Sequence, residues 1–183
     1  MITWPEELPT LSAGNISIRP WRDDEAAAVY NICQDPDTQY FTTVPIPYTH
    51  ADAEKWIARQ RKGFEDKTDF ALAAEVDGKV AVQLSAFDSI AFEHIIKIGY
   101  ATAPEFRGKG YTARALEVLV DYLFSLGYRR VGADTLPENI GSQKTLLKAG
   151  FYLESTQRMA MTNRDGTQTD GLVFAKLAPE YRN

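Results

Sequence analysis

The sequence predicts an α/β (α+β) domain built on one mixed sheet, and three observations carry that expectation. The first is the order of element types: a strand, two helices, three strands of which the last feeds a loop and a helix, then a strand, a helix and a closing hairpin. The second is Asp77-Gly78 between two apolar runs, a strong hairpin signal that makes part of the sheet antiparallel. The third is Ala103 to Leu116, A-P-E-F-R-G-K-G-Y-T-A-R-A-L, where a strand feeds a glycine loop and the loop feeds an amphipathic helix.

In chain order, Asn15 to Arg19 alternates as N-I-S-I-R and opens the sheet. Asp23 or Asp24 caps a helix that continues through Ala27, Val29, Tyr30 and Cys33 and stops at Asp35-Pro36. Asp37 to Tyr48 holds two prolines and three aromatics with neither a helical nor a strand period, and reads as a loop lining a cleft. Thr49 with Asp52 forms a capping box for a helix through Trp56, Ile57, Gln60 and Phe64. Strands follow over Asp69 to Val76, Lys79 to Ala86 and about His94 to Ala101. After the glycine loop, Leu116, Leu119, Val120 and Leu123 recur at helical spacing, and Gly127 ends that helix. Arg130 to Asp134 is a short strand, Asn139 opens a last helix ending at Gly150, and strands over about Phe151 to Met161 and Gln168 to Leu177 close the chain. No repeat, low-complexity tract or linker divides it, so one domain over 1–183, with a core of about 16–177, is expected.

Composition narrows the function. A chain of 183 residues, 44% hydrophobic and 25% charged, has enough apolar surface for a real core. A net charge of -5 disfavours nonspecific binding to nucleic acid or to an anionic membrane, and suits a cationic or amine partner better. No apolar run reaches the roughly 18 residues a membrane span needs, and the start M-I-T-W-P-E-E-L-P-T lacks the order of a signal peptide. A cytoplasmic protein with no nucleic-acid or membrane partner is therefore expected. The single cysteine, Cys33, reads as a buried structural thiol.

The chemistry concentrates in the glycine loop. Gly108 and Gly110 let the backbone approach a ligand closely, and the first turn of the next helix offers unpaired N–H groups and the positive end of its dipole. That combination is an anion cradle, with phosphate as the expected guest and Arg107 and Lys109 beside it to pair with further oxygens. A dinucleotide site is the rival reading, since Gly108, Gly110 and Ala113 fit G-x-G-x-x-A and Asp134 lies about a strand further on. Pro104 to Arg107 interrupts the direct strand-to-glycine join that such a site requires. A Walker phosphate loop is excluded because Gly110 follows Lys109 where Ser or Thr is needed.

R-G-K-G-Y-T after a strand, with Asn139 and Ser142 as N-x-x-S and then Gly150-Phe151, resembles the GCN5-related N-acetyltransferase superfamily. R-P-W near the start, I-G-Y before the loop, and G-F-x-L-E followed by Arg158 and Asp170 are similar to its ribosomal-protein N-terminal acetyltransferase branch. The resemblance covers about Ile16 to Leu177. It implies a mostly antiparallel sheet of about seven strands with about four helices, and acetyl transfer from acetyl-CoA, as cosubstrate, to a primary amine without a metal. It further implies that amides of Arg107, Gly108, Lys109, Gly110, Tyr111 and Thr112 hold the pyrophosphate. The strand around Ile98, Tyr100, Ala101 and Thr102 would hold the pantetheine arm, Asn139 would touch that arm from the other side, and Ser142 would sit near the sulfur.

Two departures from the family pattern bear on catalysis. Leu146 stands where many relatives have a tyrosine serving as the acid, leaving Ser142 or unassisted thiolate departure. Lys97 stands where many have a glutamate before I-G-Y. Glu93 and His94 are the alternative base candidates, His94 sharing a face with Ile96 and Ile98 if the strand is regular, and Asp134 stands beside them. With these gaps, a non-catalytic coenzyme A-binding module is the second alternative. The loop Asp37 to Tyr48 and the turn Thr162 to Thr169 are expected to shape the acceptor pocket. A peptide N-terminus, a polyamine, an amino sugar or an amino acid would each suit it, in a monomer or a homodimer.

Overall fold

The structure, a computed structural model, describes residues 1–181. Among these residues eight strands form one sheet in the order β1-β2-β3-β4-β5-β6-β8-β7. β1 (Leu11–Ala13) and β2 (Ile16–Pro20) form a small hairpin. β3 (Phe70–Val76) and β4 (Lys79–Ile90) join at Asp77 and Gly78, both with positive φ, at 50° and 76°. Paired left-handed residues match the right-handed twist of the flanking strands, which is why Asp-Gly specifies the turn. β5 (Ile95–Thr102), β6 (Arg130–Thr135), β7 (Tyr152–Thr162) and β8 (Gln168–Leu177) complete the sheet, and every neighbour pair is antiparallel except β5 and β6.

The count exceeds the seven strands expected because β1 has only three residues, too few for an alternating pattern to register. The helices also number one more. α1 (Ala26–Gln34) ends at Asp35 as expected, but Asp35 then caps α2 (Pro36–Phe41). The Asp35 carboxylate accepts from the Thr38 N–H at 2.8 Å and Pro36 takes the first helical position, where a missing N–H costs nothing. The segment expected to be irregular thus begins with one and a half turns of helix. α3 (His50–Glu65) opens with the predicted capping box between Thr49 and Asp52.

α4 (Tyr111–Ser125) fills the connection between the parallel pair β5 and β6. Its Leu116, Leu119, Val120 and Leu123 are all at most 1% exposed and join Leu72, Leu84, Ile96, Ile98 and Val131 in the main core. α5 (Ile140–Lys148) adds Leu146 to the same cluster. α1 and α3 bury a smaller cluster of Val29, Cys33, Tyr48, Ala53 and Ile57, bordered by Trp21 and Trp56. Arg19 on β2 supports this region by bonding the carboxylates of Glu25 and Glu75.

Candidate active site

The site begins where two strands part. β5 and β6 are in register only at Ile95↔Arg130, Ile96↔Val131 and Lys97↔Gly132. Beyond that point β5 keeps β4 on one edge and β6 keeps β8, so their facing edges over Ile98 to Thr102 and Ala133 to Thr135 have no ladder between them. A cleft of about 1180 Å³ occupies the gap. Its walls are Ile98 to Thr102, Ala133 to Leu136, and Asn139 to Ser142 at the start of α5. Backbone donors and acceptors along the unpaired edges must be satisfied by something, and an extended amide-bearing ligand would complete them.

At one end the cleft reaches the glycine loop and the first turn of α4, where Gly108, Gly110, Thr112 and Ala113 line it. Gly110 is the N-cap residue of α4 with φ 78°, a conformation glycine adopts without strain, and no side chain caps the helix end there by a hydrogen bond. The cations do not stand as the sequence suggested. Arg107 is turned toward α2: its guanidinium bonds both oxygens of Asp35, Asp37 Oδ2 at 3.1 Å and Thr38 Oγ1 at 3.3 Å, and also the Thr102 carbonyl at 3.3 Å. Planar guanidinium seeks bidentate carboxylate partners, and α2, which the sequence did not reveal, provides them. Lys109 lies over the Phe106 ring at 5.7 Å. Lys148 of α5 reaches the loop from the other side: its Nζ would lie 2.9 Å from a Cβ placed on Gly110. Lys144, one turn earlier, lines the cleft with it. Their spacing of four residues on the last helix was the available sequence signal.

Midway, Asn139 Oδ1 accepts from the Ser142 N–H at 3.0 Å and caps α5. The Tyr100 hydroxyl shares a 2.8 Å hydrogen bond with Ser142 Oγ and lies 3.2 Å from the Ser142 carbonyl, its single proton serving one of the two. Burial pushes the Tyr100 phenol up to about 12. Thr102 and Thr112 share a 2.7 Å bond between hydroxyls, tying the strand end to the helix start. Leu146 is fully buried in the core and does not line the cleft. A tyrosine at that position would have to displace core side chains.

At the other end the cleft opens among Phe41 to Pro45, Tyr48, Trp56, Gln60, Gln83, Ser85 and Phe87. Phe87 lies over Gly99, where an added Cβ would come within 3.1 Å of the ring. Gln83 Oε1 is buried without a hydrogen-bond partner. The turn between β7 and β8 reaches the same wall: Arg164 donates to the Gln39 carbonyl at 2.7 Å and to the Val44 carbonyl, and Met161 lines the cleft. The two segments expected to shape one pocket are therefore in contact. Asp134 lines the cleft at the parting of the strands and pairs with Lys97 at 2.7 Å.

Glu93 and His94 are not brought to the cleft. The regular strand starts at Ile95, and His94 ends a short 3-10 turn in the left-handed region at φ 57°. Its Nδ1–H donates to the Gly127 carbonyl at 2.7 Å, which orients the ring toward the end of the α4 connection. From there to Ile98, where the cleft begins, is about 13 Å along the strand. Asp170 accepts from the Met159 N–H at 3.0 Å, a structural role in the last hairpin. Among the described residues no group of His, Cys, Asp and Glu is arranged to hold a metal, and no helix is long and apolar enough to cross a membrane.

Residues 15–152 match the acetyltransferase (GNAT) domain family, and the chain belongs to that family: it is an acetyl-CoA-dependent N-acetyltransferase. Among curated relatives it is 26% identical over 174 residues to the uncharacterized N-acetyltransferase YoaA of Bacillus subtilis, covering 93% of this chain and 98% of that protein. It is 37% identical over 84 residues to the probable N-acetyltransferase YjcK of the same organism, covering 45% of this chain and 46% of that protein. Its fold is similar to that of Mycobacterium smegmatis RimJ in complex with CoA-disulfide, with a TM-score of 0.83 at 23% identity over 98% of this chain and 91% of that one. It is likewise similar to RimL, a ribosomal L7/L12 α-N-protein acetyltransferase in complex with coenzyme A, with a TM-score of 0.83 at 18% identity over 93% of this chain and 98% of that one.

Proposed function

We propose that the cleft binds acetyl-CoA along its length and transfers the acetyl group to the N-terminal amine of a peptide. The observation that carries this reading is the parting of β5 and β6 after Lys97 and Gly132, in line with the exposed N-terminus of α4. The pyrophosphate sits on the amides from Arg107 to Thr112, with Lys148 as counter-charge in place of Arg107. The pantetheine amides complete the free edge of Ile98 to Thr102, with Asn139 opposite. The thioester then lies at the point of divergence, next to Ser142.

The amine enters from the α2 and α3 side. A backbone N–H of the free β5 edge stabilises the oxyanion as nitrogen attacks the carbonyl carbon. The N–C bond forms, the C–S bond breaks with its electron pair passing to sulfur, and the amine proton passes to water or to Asp134. The cleft mouth among Phe41 to Pro45, Tyr48, Trp56 and Gln60 offers apolar and polar surface for the end of an extended chain. The neighbours that act on ribosomal proteins support a peptide over a polyamine, amino sugar or free amino acid.

Free thiol release from acetyl-CoA, measured across N-terminal peptides, polyamines, amino sugars and amino acids, tests the reading. Transfer to unblocked peptides and not to the other classes is the expected result. Coenzyme A binding without transfer to any amine would overturn it in favour of a non-catalytic binder.

A further inference from the structure

Resting on that acetyl-transfer reading, we propose that Tyr100 is a positioning residue for catalysis, holding the Ser142 hydroxyl so that its proton points at the departing sulfur. Tyr100 was expected to act only through its backbone. Its side chain instead crosses from β5 to the first turn of α5 and makes two contacts with one residue, 2.8 Å to Ser142 Oγ and 3.2 Å to the Ser142 carbonyl. The Ser142 N–H is taken by Asn139 Oδ1, so the whole residue is held from two sides.

The direction of the shared bond decides its effect. A phenol has one proton. Placed in the shorter 2.8 Å contact to Oγ rather than the 3.2 Å contact to the carbonyl, it leaves the serine's own proton free to turn into the cleft, where Ser142 forms part of the wall. Burial keeps the phenol protonated across the range in which an amine is nucleophilic, so Tyr100 remains a donor. Chained hydrogen bonds polarise one another, and the Oγ–H becomes a stronger donor to the thiolate as the C–S bond breaks. No proton need leave Ser142 or Tyr100: sulfur keeps the electron pair and later takes its proton from water. The site thereby recovers assistance at sulfur although Leu146 faces the core.

The test uses the whole chain with acetyl-CoA and tri-alanine as probes, comparing wild type, Tyr100→Phe, Ser142→Ala and the double variant. Coenzyme A affinity is read by calorimetry, and kcat and KM by thiol release. Tyr100→Phe is expected to lower kcat about tenfold, the scale of one hydrogen bond, with the KM for tri-alanine and the coenzyme A affinity within twofold of wild type. In the Ser142→Ala background the same change should cost nothing further, because the group it positions is gone. Equal kcat in wild type and Tyr100→Phe, or losses that multiply in the double variant, would overturn the proposal and leave acetyl transfer standing. A wild-type chain that binds coenzyme A yet releases no thiol would overturn the acetyl-transfer reading and this proposal with it.

Discussion

The guanidinium of Arg107, on the glycine loop, grips the carboxylate of Asp35, which caps α2, with Nη1 to Oδ1 at 3.2 Å and a closer contact between Nη2 and Oδ2. One pair therefore joins the glycine loop at one end of the cleft to the short helix near the other. Asp35→Asn keeps a capping side chain and loses the ion pair, and should cost about 1–3 kcal/mol of stability. Asp35→Ala loses both and should cost about 1 kcal/mol more. Urea unfolding of the two variants beside wild type checks the order.

Acid should weaken the fold through the same pair. Burial works to raise the Asp35 carboxyl, but the bonds from Arg107 and Thr38 outweigh it and hold the group below the ordinary carboxylate range. Glu25 behaves alike, burial being outweighed by Arg19 and by the Arg22 N–H. A carboxyl whose folded pKa is depressed contributes stability above its unfolded value, near pH 4, and that contribution is lost as pH falls through the lower folded value. Thermal melts from pH 7 to pH 3 should show a falling midpoint below about pH 4. The double variant Glu25→Gln with Asp35→Asn should flatten that slope; an unchanged slope would show that other groups govern it.

Arg19 holds two carboxylates, bonding Glu25 Oε1 at 2.6 Å and Glu75 Oε2 at 2.5 Å, with its side chain 11% exposed. Removing it leaves two part-buried negative charges facing each other. Arg19→Ala should destabilise by about 3–5 kcal/mol, and Arg19→Lys, which cannot fork, should recover less than half of that. Denaturant midpoints read both.

Lys148 and Gly110 meet at the mouth of the proposed phosphate cradle. Lys148→Ala should weaken coenzyme A binding about fivefold at low salt and less at high salt, as expected for a lost exposed charge contact. Gly110→Asp places a carboxylate beside Lys148 and against the pyrophosphate position, and should weaken binding more than tenfold while circular dichroism stays native. Affinity unchanged in a folded Gly110→Asp variant would sink the cradle assignment.

Distance from the cleft makes a prediction for the two residues just before β5. Glu93→Gln and His94→Asn should keep kcat and KM within about twofold of wild type, asparagine being tolerated at the left-handed φ of position 94. A large loss of kcat in either would restore it as a base and require the strand end to approach the thioester.

The extent to which each feature was legible follows from how local its cause is. Asp77-Gly78, the Thr49–Asp52 capping box and the apolar stripe of α4 each rest on residues within one or two turns of one another, and each lies where its pattern put it. β1 and α2 are short, so their few residues set no period, and α2 exists because Asp35 and Pro36 start a helix as well as stop one. His94 was misplaced because strand alternation was extended one residue past Ile95, into a turn whose geometry is set by the contact with Gly127.

The amino-acid order alone determined the fold class, the glycine loop at a helix start and, by family resemblance, the cosubstrate, since these depend on spacing along the chain. Tertiary structure alone decided which side chains serve the cleft. Arg107 and Lys148 lie 41 positions apart, and nothing in either neighbourhood says that the first pairs with Asp35 while the second reaches Gly110. Tyr100 and Ser142 meet only because β5 and β6 diverge after three pairs and α5 starts over the gap. Charge partners and hydroxyl contacts are settled by proximity in space, and proximity across 42 residues is a property of packing rather than of pattern.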